Sequence, residues 1–146
     1  MELYLIRHAE SANNALPTYE RVEDPDITSV GRLQADHLAQ WLVTLRVDAF
    51  ITSPFLRTLR TAIPVLDATD HQLTIWHNVF ERGGCFRGYD ESNIEGAQGM
   101  RRQDIVRTLG RHGAECVLDE TIGESGWWGG KDLESDAEAE QRAREV

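Results

Sequence analysis

The 146-residue chain has only two cysteines, Cys85 and Cys116, in no metal-ligand spacing. Neither a disulfide framework nor a thiolate metal site is expected, and both are read as free thiols. There is no apolar run long enough to cross a bilayer and no signal-peptide pattern at the start, which points to a cytoplasmic protein without a membrane partner. Internal repeats and low-complexity segments are lacking, so a single globular domain is the frame at 40% hydrophobic residues. Positive charge is also scarce. The 15 Lys and Arg against 25 Asp and Glu leave a net charge of −10, which argues against nucleic acid as a partner. The imbalance sits mostly at the end: residues 1 to 118 carry 16 acids and 12 bases, residues 119 to 146 carry 9 and 3. Asp132, Glu134, Asp136, Glu138 and Glu140 read as one solvated helix start rather than as a metal site.

What is present is concentrated in the first stretch. Leu3-Tyr4-Leu5-Ile6 has the length of a strand buried on both faces, and it ends abruptly in Arg7-His8. The carboxyl end of such a strand is where an open α/β sheet offers chemistry to ligands. Arginine supplies a planar fork of donors and a fixed charge, and a neutral imidazole can act as a nucleophile, so the pair suggests an anion site. A strand-end histidine that merely bonds backbone is the alternative for these two residues alone.

Three further stretches follow in order: Thr28-Ser29-Val30-Gly31-Arg32-Leu33-Gln34-Ala35, then Ser53-Pro54-Phe55-Leu56-Arg57 with Thr61-Ala62 behind it, then Glu81 before Gly83-Gly84. Together with Arg7-His8 this set resembles the histidine phosphatase superfamily, whose members share the phosphoglycerate mutase-like fold. There, a strand ends in R-H-G-[EQ]-[ST] and is followed by L-T-x-x-G-x-x-Q-A, S-P-x-x-R-[AT]-x-x-T-A and a glutamate ahead of a glycine-containing loop. The resemblance is strong from Leu3 to Glu81 and thin afterwards. It implies a three-layer α/β/α fold with a mostly parallel sheet, carried by a single domain over residues 1 to 146 with an inserted cap region at about 85 to 130.

The resemblance also implies roles. His8 and Glu81 match the catalytic positions, and Arg7, Arg57, Ser11 and Asn14 match positions that bind the substrate phosphate; no metal and no cofactor are implied. Neutral His8 would attack phosphorus, Glu81, if kept protonated by burial, would protonate the leaving alkoxide, and the arginines would balance the charge on the equatorial oxygens. Ala9 stands where the family has glycine, which is compatible with close packing only if its backbone angle is ordinary. A second essential histidine in a V-[ST]-H-[GA] context has no counterpart, and the strand expected beside Leu3 to Arg7 is missing too. Both absences lead to the expectation of a fragment incomplete at the C-terminus, or of a short chain that covers an open edge by forming a homodimer. Ala15 to Asp26 holds nothing like the N-x-F-x-G-W-x-D segment of cofactor-dependent mutases. The expected activity is therefore hydrolysis of a small phosphorylated metabolite, with mutase-type phosphoryl transfer and non-catalytic phosphate binding as alternatives.

The remaining elements are read from local chemistry. Ala12 to Ile27, with Pro17 and Pro25, reads as a loop, and Thr28 as the N-cap of a helix whose core face is Val30, Leu33, Leu38, Trp41, Leu42 and Leu45. Ala49 to Thr52 is the second strand; Ser53 then caps a helix with Pro54 in its first position and Arg57 in its first turn, and Arg60 stays on the surface. Leu73 to Trp76 is a third strand, with His77 after it in a structural role. Arg87, Tyr89, Asn93 and Arg102 are candidates to reach over the pocket and select substrate. Arg101 to Leu109 is a short helix closed by Gly110, and Trp127-Trp128 an aromatic turn packed on the insertion. Arg111-His112-Gly113 imitates the catalytic tripeptide but follows a helix end, so it receives no role. Ser135 and Glu138 form a capping box for a last helix.

Overall fold

The computed structural model describes residues 2–90 and 92–146. Its centre is a parallel sheet of β1 (Phe50–Thr52), β2 (Leu73–Ile75) and β5 (Val117–Leu118), in the order β1-β2-β5. Phe50 lies opposite Leu73 and Thr52 opposite Ile75 in one pair; Thr74 lies opposite Val117 in the other. Parallel pairing demands a crossover between strands, and α3 (Leu56–Ala68) supplies the one from β1 to β2. With α2 (Ser29–Leu42) packed on α3, this is the α/β arrangement the sequence implied.

The core follows from these elements. Leu59, Ala62 and Leu66 of α3 meet Leu73 and Ile75 of β2, Ile105 and Leu109 of α4 (Arg102–Leu109), and a group of aromatic rings. Trp127 sits at its middle, only 2% exposed, edge-on to Phe55 at 4.7 Å between ring centres and 5.3 Å from Phe80. The Trp127-Trp128 turn therefore packs into the main core. Its backbone is tied down by Trp127 and Trp128 N–H groups donating to Met100 and Gln98 carbonyls. A hairpin of β3 (Phe86–Arg87) and β4 (Glu95–Gly96) precedes α4, and α5 (Asp136–Glu145) closes the described fold. Gly110 ends α4 at φ +57°, and Ser135 and Glu138 form the expected capping box on α5.

Three expectations are corrected. Leu3 to Ile6 is not a strand: Leu3 is 73% and Leu5 89% exposed, and Tyr4 only lays its ring edge-on to Trp41. A strand buried on both faces needs hydrogen-bonded neighbours for its backbone, and among the described residues the sheet offers this segment none. The α2 face is also rotated. Gly31, Ala35, Ala39 and Leu42 are buried while Val30, Leu33 and Trp41 are exposed. Small residues let the helix close on the chain after His8, so tightly that a Cβ on Gly31 would lie 2.2 Å from the Glu10 carbonyl oxygen. Leu38, Leu42 and Leu45 do pack inward, against Val65 and Phe50. The third correction concerns α3, which starts at Leu56 with Phe55 as its N-cap; Ser53 instead pairs its hydroxyl with that of Thr58 at 2.9 Å. The Ala12 to Ile27 stretch, read as a loop, also includes the single-turn helix α1 (Ala12–Ala15) and a 3-10 turn at Thr18–Glu20.

Candidate active site

The site forms where the segment after Arg7-His8 meets the start of α3. Thr61, one turn beyond Arg57, joins the two: its hydroxyl donates to the Arg57 carbonyl at 2.7 Å and accepts the Ala9 N–H at 3.0 Å. Ala9 is buried, and no non-glycine among the described residues has a positive φ, so alanine replaces glycine here without strain. On the other side, Glu10 accepts the Thr28 N–H at its carbonyl and the Thr28 hydroxyl at its carboxylate, tying the same segment to the start of α2. Thr28 also caps that helix by accepting the Gly31 N–H.

Geometry fixes the tautomer of His8. Its Nδ1 lies 2.7 Å from the Ala9 carbonyl oxygen, an acceptor only, so Nδ1 carries the proton and Nε2 keeps the lone pair. Burial, reinforced by the Arg57 charge, lowers the His8 pKa below its ordinary value even though the Ala9 bond and Glu81 pull the other way. The ring is therefore neutral near pH 7, as a nitrogen nucleophile must be.

Arg57 is fixed on three sides. Its guanidinium lies 3.8 Å over the Phe55 ring, 3.0 Å from Glu81 and 4.0 Å from Asp24. Glu81 stands 4.0 Å from His8 Nε2, so His8, Glu81 and Arg57 share one small volume. A cavity of about 390 Å³ opens there, and Arg7, Ser11 and Asn14 line it together with His8, Arg57 and Glu81. All six candidate residues are thus brought to one place. Ser11 is buried and bonds Asn14 Oδ1 through both its N–H and its hydroxyl, each at 3.0 Å. One condition fails: the Glu81 side chain is 67% exposed rather than buried. It contributes to the wall of an open cavity.

The rim corrects the selection of specificity candidates. Arg87 and Tyr89 line the cavity, Arg87 held by Glu95 through two bonds at 2.7 and 3.0 Å. Asn93 caps the Gly88 turn by accepting the Tyr89 and Asp90 N–H groups. Arg102 points elsewhere, donating to the carbonyls of Leu118 in β5 and of Asp119 and Ile122 in the loop after it. Arg111 and His112 pair with Asp67 at the surface, away from the cavity, as expected for a helix end.

Asp24 is the residue that sequence reasoning missed. It accepts the Leu56 N–H at the start of α3 at 2.9 Å, faces Arg57, and leaves Oδ2 buried without a partner. Burial pushes its carboxyl up to about 7. Its neighbour Pro25 marks a turn, but nothing in a lone Asp-Pro signals that the carboxylate will sit behind a guanidinium. Arg21 and Arg82, also on the cavity wall, were equally silent.

A neutral histidine, an arginine-rich cavity and a facing glutamate thus meet on one α/β framework. The chain belongs to the histidine phosphatase superfamily (branch 1), whose family model matches residues 3–145. It is 40% identical over 68 residues to phosphoserine phosphatase 1 of Hydrogenobacter thermophilus, covering 47% of this chain and 32% of that protein. It is 36% identical over 73 residues to a putative phosphoserine phosphatase 2 of the same organism, covering 50% and 36%. A 2,3-bisphosphoglycerate-dependent phosphoglycerate mutase of Corynebacterium efficiens is 30% identical over 141 residues, covering 92% of this chain and 56% of that protein. The chain thus spans between a third and just over half the length of these relatives. Among the described residues no helix is long and apolar enough to cross a membrane, and no cluster of three or more His, Cys, Asp or Glu could hold a metal ion.

Proposed function

We propose that this chain is a phosphomonoester hydrolase that works through a phosphohistidine on a small phosphorylated metabolite, without a metal. The observation that carries the reading is the pinned imidazole: Nδ1–H on the Ala9 carbonyl, Nε2 free and 4.0 Å from Glu81, with Arg57 alongside. Nε2 attacks phosphorus, the N–P bond forms as the ester P–O bond breaks, and the leaving alkoxide takes a proton from Glu81. Arg57 and Arg7 offset charge on the equatorial oxygens, the task a metal performs elsewhere. Glu81, having given up that proton, then takes one from the water that hydrolyses the phosphohistidine. The phosphatase names of two relatives and the lack of a mutase-type segment in Ala15 to Asp26 support hydrolysis over transfer.

The mutase reading has one observation in its favour, namely that the mutase relative aligns over 92% of this chain. Hydrolysis of an aryl phosphate in excess chelator, compared between wild type and His8→Ala, tests the proposal. Chelator-resistant hydrolysis abolished by the substitution is expected. Activity that persists in His8→Ala refutes it, and phosphate binding without turnover assigns a binding role instead. Acid-labile phosphate trapped on His8 that passes to an acceptor alcohol rather than to water favours the mutase.

A further inference from the structure

Glu81 touches its chemistry only at the tip. It reaches Arg57 and approaches His8, yet its side chain is two-thirds exposed and its own backbone lies in the turn from Asn78 to Gly84. Something outside the cavity has to hold that turn. Arg142 of α5 donates to Glu134 through Nε and Nη2 at 2.7 and 2.8 Å, donates through Nη1 to the Asn78 carbonyl at 2.8 Å, and lies 3.6 Å over the Phe80 ring. Glu134, 7% exposed, accepts the Gly83 N–H at 3.3 Å, and its own N–H donates to the Gly83 carbonyl at 3.1 Å. Arg82 is paired with Asp136 at the head of α5. The residues on both sides of Glu81 are therefore gripped from the same segment, while the Glu81 carboxylate faces His8 and Arg57 in the cavity.

We propose that the Glu134–Arg142 pair is the positioning device for Glu81: it clamps the Asn78 to Gly83 turn from behind and so sets the distance of the Glu81 carboxylate from His8 and Arg57. The inference rests on the reading of Glu81 as the acid of the site. A fork held on both sides has the rigidity that an exposed acid lacks on its own, and a misplacement of about 1 Å at a reacting group costs on the order of 100-fold in rate. Bidentate geometry makes the pair specific for arginine, since lysine offers a point charge without the fork.

The nearby Glu81 charge raises the His8 pKa, so His8 reports where Glu81 is. In the full chain, followed by the imidazole proton resonances, Glu81→Gln lowers the His8 titration midpoint. Arg142→Gln lowers it too, the double variant goes no further than Glu81→Gln alone, and Arg142→Lys recovers part of the difference. Where aryl phosphate hydrolysis is measured, Arg142→Gln loses about tenfold to 100-fold in kcat with KM held, as expected when only the acid is displaced. A folded Arg142→Gln protein whose His8 titrates as wild type overturns the clamp while leaving the phosphatase reading intact. If Glu81→Gln itself does not move His8, the acid reading and the clamp fail together. Should Arg142→Gln not fold, Arg142→Lys decides alone: an unshifted His8 overturns the clamp.

Discussion

Neutralising Asp24 is expected to stabilise this protein, and by an amount that depends on pH. Its carboxyl stands at 3.8 in the unfolded chain and about 7 when folded, because burial opposes the charge more than the Leu56 N–H and Arg57 favour it. The folded form thus holds a proton that the unfolded form has lost between those two values. Over that window stability falls as pH rises, by about 1.36 kcal/mol for each pH unit, and above about 7 the loss is complete. The full cost is on the order of 4 kcal/mol at pH 8, an upper figure for what Asp24→Asn recovers. The amide keeps the acceptor for Leu56 N–H, so the helix start is preserved. Urea unfolding followed by tryptophan fluorescence measures this directly. With a slope of about 2 kcal/mol per molar urea, the Asp24→Asn midpoint exceeds the wild-type one by up to about 2 M at pH 8 and by little at pH 4. A midpoint difference that stays constant from pH 4 to pH 8 contradicts this account, since it means that Asp24 carries the same charge in both states.

Other outcomes follow from the same geometry. Arg57→Gln removes the cation held between Phe55, Asp24 and Glu81, and inorganic phosphate binding by calorimetry weakens about tenfold or more; unchanged affinity would remove Arg57 from the anion site. Glu134 is the opposite case to Asp24. The Arg142 hydrogen bonds hold its carboxyl below the ordinary range, so its stabilisation is present above the unfolded value and lost as pH falls through the folded one. The destabilisation caused by Glu134→Gln should accordingly shrink in acid denaturation curves, and a penalty that grows toward low pH contradicts the ion pair. Gly84 has φ +80°, and an added Cβ would meet the Trp128 ring at 2.4 Å. Gly84→Ala costs at least about 2 kcal/mol in thermal or urea unfolding, through both the backbone and the displaced ring.

The local elements were legible because local chemistry decides them. Thr28 caps α2, Gly110 ends α4, Ser135 and Glu138 box the start of α5, and the two short apolar runs before Ser53 and Trp76 became β1 and β2. The order of the four motif stretches was likewise enough to name the family and to nominate His8, Arg57 and Glu81. Burial was not legible. A helical stripe tells which residues share a face but not which face finds a neighbour: the apolar pattern points Val30, Leu33 and Trp41 inward, whereas Gly31, Ala35 and Ala39 take that place. Leu3 to Ile6 has the composition of a buried strand, yet strand formation depends on partners supplied from elsewhere in space.

Sequence alone supplies the chemical inventory: a histidine after Arg7, an arginine at the start of a helix, a glutamate before a glycine turn. What those groups can do depends on where folding places them. The proton sits on His8 Nδ1 because the Ala9 carbonyl lies 2.7 Å away, Glu81 is open to solvent rather than buried, and Asp24 is brought behind Arg57 from 33 positions earlier in the chain. Hydrogen bonding and desolvation act over a few ångströms of space, and distance along the chain does not report them.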